Sequence, residues 1–312
     1  MSRIASARYA HARTRLALVS PSSPHDEDGY LERALQALAE LGFETTVGRH
    51  VGERHGYLAG SAEHRVSDLH EAFADPDVDA VLAVRGGYGA AELVPLLDER
   101  LLRANPKPFI GMSDITVLHL VLSERLGLPT FWGPMAGQLA RGSDYTRRLF
   151  KEVLSQGPSA GPLELPDGVE LITLVPGSAS GPLGGGTTAL LASSLGTSWE
   201  VETEGRVVLL EDVGMEPYEL DRALLQLLQA GKLADAAAIA LGVHVGVAPR
   251  DSRPSLTLME VLERLIVPLG LPTLYGLPLG HARDLATVRY GAPVRLDASA
   301  GSLELLNSSS AR

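Results

Sequence analysis

Apolar positions along the chain fall into short continuous runs, separated by stretches with helical spacing. Arg15 to Val19 reads as a buried strand and ends in the turn-rich Ser20-Pro-Ser-Ser-Pro24. Leu31, Leu35, Leu38 and Leu41 then recur every three or four residues, which places one apolar face on a helix. Glu44 to Val47 is a second strand. Ser61 to Ala74 is a second helix, with Ser61 at the N-cap and Glu63 in a first turn that favours negative charge. Asp79 to Val84 is a strongly apolar strand running into Arg85-Gly-Gly-Tyr-Gly89. Phe109 and Ile110 end another strand, Gly111 permits a sharp turn, and an apolar helix starts at Asp114 or Ile115. A short strand follows near Thr130 to Trp132. Strands alternating with helices predict a parallel sheet covered on both faces.

The texture changes from Gly157 to Gly186, where Pro158, Pro162, Pro166, Pro176 and Pro182 are spread among glycines. This stretch reads as a connector carrying one strand, Glu170 to Val175. Residues 1–156 are assigned to an N-terminal domain, 157–182 to the connector and 183–312 to a C-terminal domain. Beyond the connector the pattern predicts a helix over Thr187 to Leu195, a buried strand over Arg206 to Leu210 and an amphipathic helix over Pro217 to Ala230. A strand over Ala236 to Val243, a helix over Leu256 to Leu265, a short strand over Thr273 to Tyr275 and a pair of strands over Val294 to Leu306 complete it. No internal repeat is visible.

Composition narrows the function classes. Hydrophobic residues make up 45% and charged residues 21% of 312, so the chain can bury a full core. The formal net charge of −11 and the lack of a basic patch argue against nucleic acid as a partner. The absence of cysteine excludes disulfides, thiolate metal sites and a cysteine nucleophile, and fits a reducing cytoplasm. No apolar stretch has signal-peptide or transmembrane length, so a cytoplasmic protein with no membrane partner is expected, its first dozen residues a loose tail.

Three strand ends carry residues suited to acyl transfer. Ser113 sits at the apex of the Gly111 turn, beside the free N–H groups of a helix start. A serine there also suits a plain N-cap, and Gly111 to Ile115 lacks the second glycine of the hydrolase elbow G-x-S-x-G. The three glycines in Arg85-Gly-Gly-Tyr-Gly89 let backbone N–H groups face a cleft, where they can stabilise an oxyanion. Their spacing is not that of a dinucleotide fingerprint. Glu211 ends the strand before it, and His281 lies in a Gly/Pro loop, Gly276-Leu-Pro-Leu-Gly-His281, with no packing reason to be there. His119 reads as a partly buried helix residue and His244 as a weaker base, while His50, His55, His64 and His70 read as surface positions. No histidine pair has zinc-ligand spacing, so neither a metal nor another cofactor is expected. Ser113, Glu211 and His281 have the types and order of a nucleophile–acid–base triad. The N–H groups of Asp114 and of Gly86 or Gly87 are the oxyanion donors, and Arg85 and Tyr88 the substrate-binding side chains.

With these pieces in order, the chain resembles the serine LD-carboxypeptidase family, which includes the microcin-C immunity peptidases. The resemblance rests on Ser20-Pro-Ser-Ser-Pro24, Arg85-Gly-Gly-Tyr-Gly89, Phe109-Ile-Gly-Met-Ser-Asp-Ile-Thr116 and Phe131-Trp-Gly-Pro-Met135. It continues through Gly184-Gly-Gly186, Leu195-Gly-Thr197, Leu210-Glu-Asp-Val-Gly214, Pro217-Tyr-Glu-Leu-Asp-Arg222 and the His281 loop. It departs at Gly186-Thr187-Thr188, where the family has Asn after its glycine pair, and at Val288-Arg-Tyr290. The resemblance implies an α/β fold: a parallel-sheet, flavodoxin- or Rossmann-like N-terminal domain and a smaller C-terminal α/β domain, with the active site in the groove between them. It implies Ser113 as nucleophile, Glu211 as acid, His281 as base, and a homodimer. The run Glu216 to Arg222 looks like the peptidoglycan-recycling branch, whose members release terminal D-alanine from murein tetrapeptide. Cleavage of a peptidyl-nucleotide acyl link and a non-catalytic, ligand-binding α/β protein are the alternatives.

Overall fold

The computed structural model describes residues 14–25 and 27–307, and the tail expected over the first dozen residues lies outside them. The chain divides into two compact units. One runs up to Pro158 and takes back Arg283–Tyr290; the other is Ser159–Ala282 together with Gly291 onward.

The first unit is built on β1 (Arg15–Val19), β2 (Glu44–Val47), β3 (Ala80–Ala83), β4 (Phe109–Gly111) and β5 (Thr130–Trp132). These five are mutually parallel in the order β5-β4-β3-β1-β2. The apolar content of β1, β3, β4 and β5 is what burial on both faces requires, whereas β2, Glu-Thr-Thr-Val at the sheet edge, is largely exposed. Leu16, Leu18, Leu82, Ile110 and Phe131 pack with Leu38, Leu139 and Phe150 from the covering helices. The order reverses between β1 and β3, and in open α/β sheets ligands bind outside the strand ends at such a switch point. Val288–Tyr290 adds a sixth, antiparallel strand beside β5, pairing Val288 with Trp132 and Tyr290 with Thr130. Its alternation of buried Val288 and Tyr290 with half-exposed Arg289 fits an edge strand. Helices at Glu99–Ala104, Ala136–Arg141 and Asp144–Gln156 were not foreseen.

The second unit carries one eight-stranded mixed sheet, so the stretch read as a connector with one strand is more structured than expected. It contains β6 (Gly161–Pro162), β7 (Ile172–Val175) and most of β8 (Ser178–Thr187). Five glycines and prolines mask β8 in the sequence, yet its N-terminal half pairs with β13 (Pro293–Asp297) and its C-terminal half with β9 (Val207–Glu211). With β10 (Ala238–Gly242), β11 (Thr273–Leu277) and β14 (Ser302–Leu305), the order is β6-β14-β13-β8-β9-β10-β11-β7, and β12 is the Val288–Tyr290 strand of the first unit. Strands β8 to β11 are parallel, so the residues after β9 and β11 leave from the same edge.

Register between β10 and β11 shifts at Gly242, which pairs with Leu277. A Cβ on Gly242 would lie 1.9 Å from the Leu279 carbonyl oxygen and 3.0 Å from Glu211 Cβ. Glycine here lets the segment leading to His281 close against the strand ends. Gly242→Ala is expected to lower stability by about 1–3 kcal/mol through this overpacking, read as a lower urea midpoint with unchanged slope.

Candidate active site

Ser113 follows β4 at the start of one helical segment: a 3₁₀ turn Ser113–Ile115, an α-turn Thr116–His119 and a π-turn Leu120–Arg125. Its φ is +63°, and it is the one non-glycine residue in the left-handed region among the described residues. For a side-chain-bearing residue that conformation costs on the order of 1–2 kcal/mol. It is the geometry of a nucleophile elbow, in which a strand turns abruptly into a helix and pushes the serine hydroxyl outward. Two neighbours make the turn possible. A Cβ on Gly111 would meet Ile115 Cγ2 at 2.8 Å, and a Cβ on Gly86 would meet Ser113 Cβ at 2.9 Å and Oγ at 3.0 Å. Ile115 occupies the position of the missing elbow glycine, and Gly111 accommodates its side chain.

The loops after β1 and β3 are stitched together beside this turn. Ser23 N–H donates to the Gly86 carbonyl at 3.2 Å, and Tyr88 N–H donates to Ser23 Oγ at 3.0 Å. Gly87, at φ +110°, lies so close to Ser23 that a Cβ would sit 2.4 Å from its hydroxyl. Asp114 is buried, and its Oδ2 accepts from Ala90 N–H at 2.8 Å, tying the residue after Ser113 to the helix that follows the glycine loop. Burial raises the Asp114 carboxyl above the ordinary aspartate range. Arg65 crosses beneath both loops and donates to the carbonyls of Pro21 at 2.7 Å and Gly89 at 2.9 Å, while pairing with Glu92. The sequence carries a signal for this residue that was not used: Arg65 stands one turn before Leu69 on the helix's apolar face, where a cation has to find buried acceptors.

The first unit thus gathers Ser113, Asp114, Gly86 and Gly87. Arg85 is half-buried and donates to the Pro24 carbonyl at 2.8 Å, so part of its guanidinium holds the loop. Tyr88 is 58% exposed and meets Tyr57 edge-on.

The second unit pairs Glu211 with His281. Glu211 ends β9 with no solvent exposure, and its Oε2 lies 2.7 Å from His281 Nδ1. Its Oε1 accepts from Thr187 Oγ1 at 2.6 Å, and its backbone carbonyl from Thr188 Oγ1 at 3.2 Å. A carboxylate only accepts, so Nδ1 carries the ring proton and Nε2 keeps its lone pair. A Cβ on Gly280 would sit 2.6 Å from the Val243 carbonyl and 3.3 Å from Glu211 Oε2, so a glycine is needed just before the histidine. The two threonines stand where the chain departs from the family's Gly-Gly-Asn pattern; Thr187 binds the other carboxylate oxygen of Glu211 and Thr188 its main-chain carbonyl.

Other histidines separate by environment. His119 is wholly buried rather than partly so, donates from Nε2 to the Gly111 carbonyl at 2.9 Å, and is held neutral with its pKa lowered to about 4 by desolvation. His244 is buried with Nδ1 3.0 Å from the Gly242 carbonyl, and burial lowers its pKa as well. His50, expected at the surface, is only 17% exposed and meets buried Asp68.

Asp212, adjacent to Glu211, has its carboxyl pushed up to about 6, by burial first, with the Glu211 charge adding to it. The folded chain therefore holds a proton there that the unfolded chain releases near pH 4. Stability falls as pH rises from about 4 to about 6, by at most about 3 kcal/mol. Asp212→Asn is expected to flatten that slope in chemical unfolding measured across the window.

Residues 16–133 match the LD-carboxypeptidase N-terminal domain and residues 180–296 the LD-carboxypeptidase C-terminal domain, so Ser113 falls in the first and Glu211 and His281 in the second. A probable murein peptide carboxypeptidase of Bacillus subtilis is 39% identical over 90% of this chain and 88% of its own length. The crystal structure of muramoyltetrapeptide carboxypeptidase from Oxalobacter formigenes superposes with a TM-score of 0.80 at 31% identity, covering 94% of this chain and 98% of that one. The microcin C7 self-immunity protein MccF shares the fold with a TM-score of 0.88 at 22% identity, covering 96% and 98%. The chain belongs to the LD-carboxypeptidase family and is a serine-type carboxypeptidase hydrolase.

Proposed function

We propose that this enzyme hydrolyses the bond between the L-centre of meso-diaminopimelate and the terminal D-alanine of murein tetrapeptide, in the recycling of peptidoglycan in the cytoplasm. The observation that carries the reading is the 2.7 Å hydrogen bond that locks His281 on fully buried Glu211. An imidazole held in that tautomer is a base in need of a proton donor, and the strained Ser113 is the hydroxyl best shaped to be one. Family membership and the murein peptide relative support the substrate class.

In this mechanism His281 Nε2 takes the Ser113 hydroxyl proton as Oγ attacks the scissile carbonyl. Glu211 stabilises the imidazolium that forms. Backbone N–H groups of Asp114 and of the Gly86–Gly87 turn receive the developing oxyanion. The imidazolium then returns its proton to the leaving amine of D-alanine, and a water deprotonated by the same nitrogen releases the tripeptide. Arg85, held at the end of β3 by its bond to the Pro24 carbonyl, supplies the positive charge for the substrate's terminal carboxylate, and exposed Tyr88 is the surface against which the peptide lies.

The fold shared with MccF sets the second arm of the test. Purified protein is offered murein tetrapeptide, murein pentapeptide and a peptidyl-nucleotide. D-alanine release from the tetrapeptide is expected, with Ser113→Ala lowering turnover on the order of 10⁶-fold and Glu211→Gln about 10⁴-fold. Unchanged release by Ser113→Ala removes the serine from the chemistry. Cleavage of the peptidyl-nucleotide alone transfers the assignment to the immunity branch, and inertness towards all three favours a ligand-binding protein.

A further inference from the structure

We propose that His50, Glu53 and His64, on the loop after β2 and the first turn of helix Ala62–Ala74, form a binding site for a divalent transition-metal cation of the zinc class. One ligand atom from each of the three lies within 4.8 Å of those of the other two. The chemistry is that of a two-imidazole, one-carboxylate donor set, which suits Zn²⁺, Ni²⁺ or Cu²⁺ rather than Mg²⁺ or Ca²⁺. Linear spacing hides it, because the three residues come together through a loop that folds back on a helix start and not along one helical face.

Two features make this more than a surface cluster. The first is the support of His50. Its Nδ1 lies 2.7 Å from Asp68 Oδ1, and its backbone N–H donates to Asp68 Oδ2 at 2.9 Å. The Asp68 side chain is only 2% exposed. Gly48 leaves room for it, since a Cβ there would lie 2.5 Å from Asp68 Oδ2. A buried carboxylate on one ring nitrogen fixes the tautomer and leaves the Nε2 lone pair for a cation, as in carboxylate–histidine–metal arrangements. The second is the partnership of the other two groups. His64 stacks on the His50 ring with centroids 4.1 Å apart, and its Nδ1 lies 2.7 Å from Glu53 Oε2. Ser61 Oγ accepts from the His64 N–H at 3.2 Å, which sets this residue in the helix's first turn. Ligand bonds of about 2.0–2.2 Å put tetrahedral donors about 3.3–3.5 Å apart. Glu53 and His64 separate slightly from 2.7 Å to admit an ion, and any wider pair of the set closes by at most about 1.5 Å. Their side chains are 41% and 50% exposed and free to make that adjustment.

An ion here joins the end of the β2 loop to the helix that carries Arg65. The same loop donates from Ala59 N–H to the Ser22 carbonyl at 3.0 Å, and Leu58 packs where a Cβ on Gly89 would lie 2.6 Å away. The cation would therefore brace the outer wall of the loops around Ser113 without touching the groups that react. This reading does not depend on the substrate assigned above.

The test is calorimetric titration of zinc chloride into the untagged, chelator-treated full-length protein, with thermal unfolding in parallel. One equivalent is expected to bind with micromolar affinity and raise the unfolding temperature. His64→Ala, at an exposed position that leaves the fold intact, is expected to weaken binding at least tenfold and abolish the temperature shift. Asp68→Asn is expected to weaken it about 10–100-fold, with circular dichroism confirming that this variant is folded. The absence of a saturable site in the wild type, or binding unchanged in His64→Ala, overturns the proposal.

Discussion

A serine held at φ +63° is the constraint on which the first unit is arranged. No backbone hydrogen bond favours that conformation for a side-chain-bearing residue, so its surroundings must impose it. Gly111 makes room for Ile115 in front of the turn, Gly86 for the serine itself, and His119 together with Gly133 N–H occupies the Gly111 carbonyl from behind. Thr116 Oγ1 closes the turn on the Ser113 carbonyl at 2.7 Å. Arg65 and Asp114 then bind the loops on either side to one another. The parallel sheet supplies the frame, because β1, β3 and β4 end side by side at the topological switch.

The second unit solves a different problem, that of keeping a carboxylate at zero exposure. An isolated buried charge is costly. Glu211 is instead surrounded by donors: the His281 ring on one oxygen and the Thr187 hydroxyl on the other. The close approach this needs is provided by glycines, Gly242 and Gly280, at positions where any Cβ would strike a carbonyl. In Asp212 next to it, burial outweighs the hydrogen bonds it accepts, and its carboxyl is pushed up to about 6. The two adjacent acids thus have different partners: Glu211 meets the His281 ring and the Thr187 hydroxyl, and Asp212 accepts from the N–H groups of Ala189 and Val213.

Much of this was legible in the chain. Continuous apolar runs identified β1, β3, β9 and β10, since strands buried on both faces have no alternation to lose. Ser113, Glu211 and His281 stood out because each polar residue followed a strand end. Strand β8 was hidden by its prolines and glycines, which the sheet tolerates because different halves of it pair with different neighbours. The strand Val288–Tyr290 was hidden because its partner, β5, lies more than 150 residues earlier in the chain. Arg65, Thr187 and the His50–Glu53–His64 cluster are tertiary facts: their partners are loop carbonyls, a carboxylate one strand over and a folded-back loop. None of these leaves a local period.

The strain at Ser113 can be read directly by comparing thermal unfolding of Ser113→Gly with Ser113→Ala. Both lack the hydroxyl; the glycine variant also lacks the Cβ that penalises a left-handed turn, a gain opposed by the greater freedom of its unfolded chain. The account predicts that the glycine variant unfolds at the higher temperature, by a few degrees for about 1 kcal/mol of relieved strain. An alanine variant as stable as the glycine one, or more so, would contradict it.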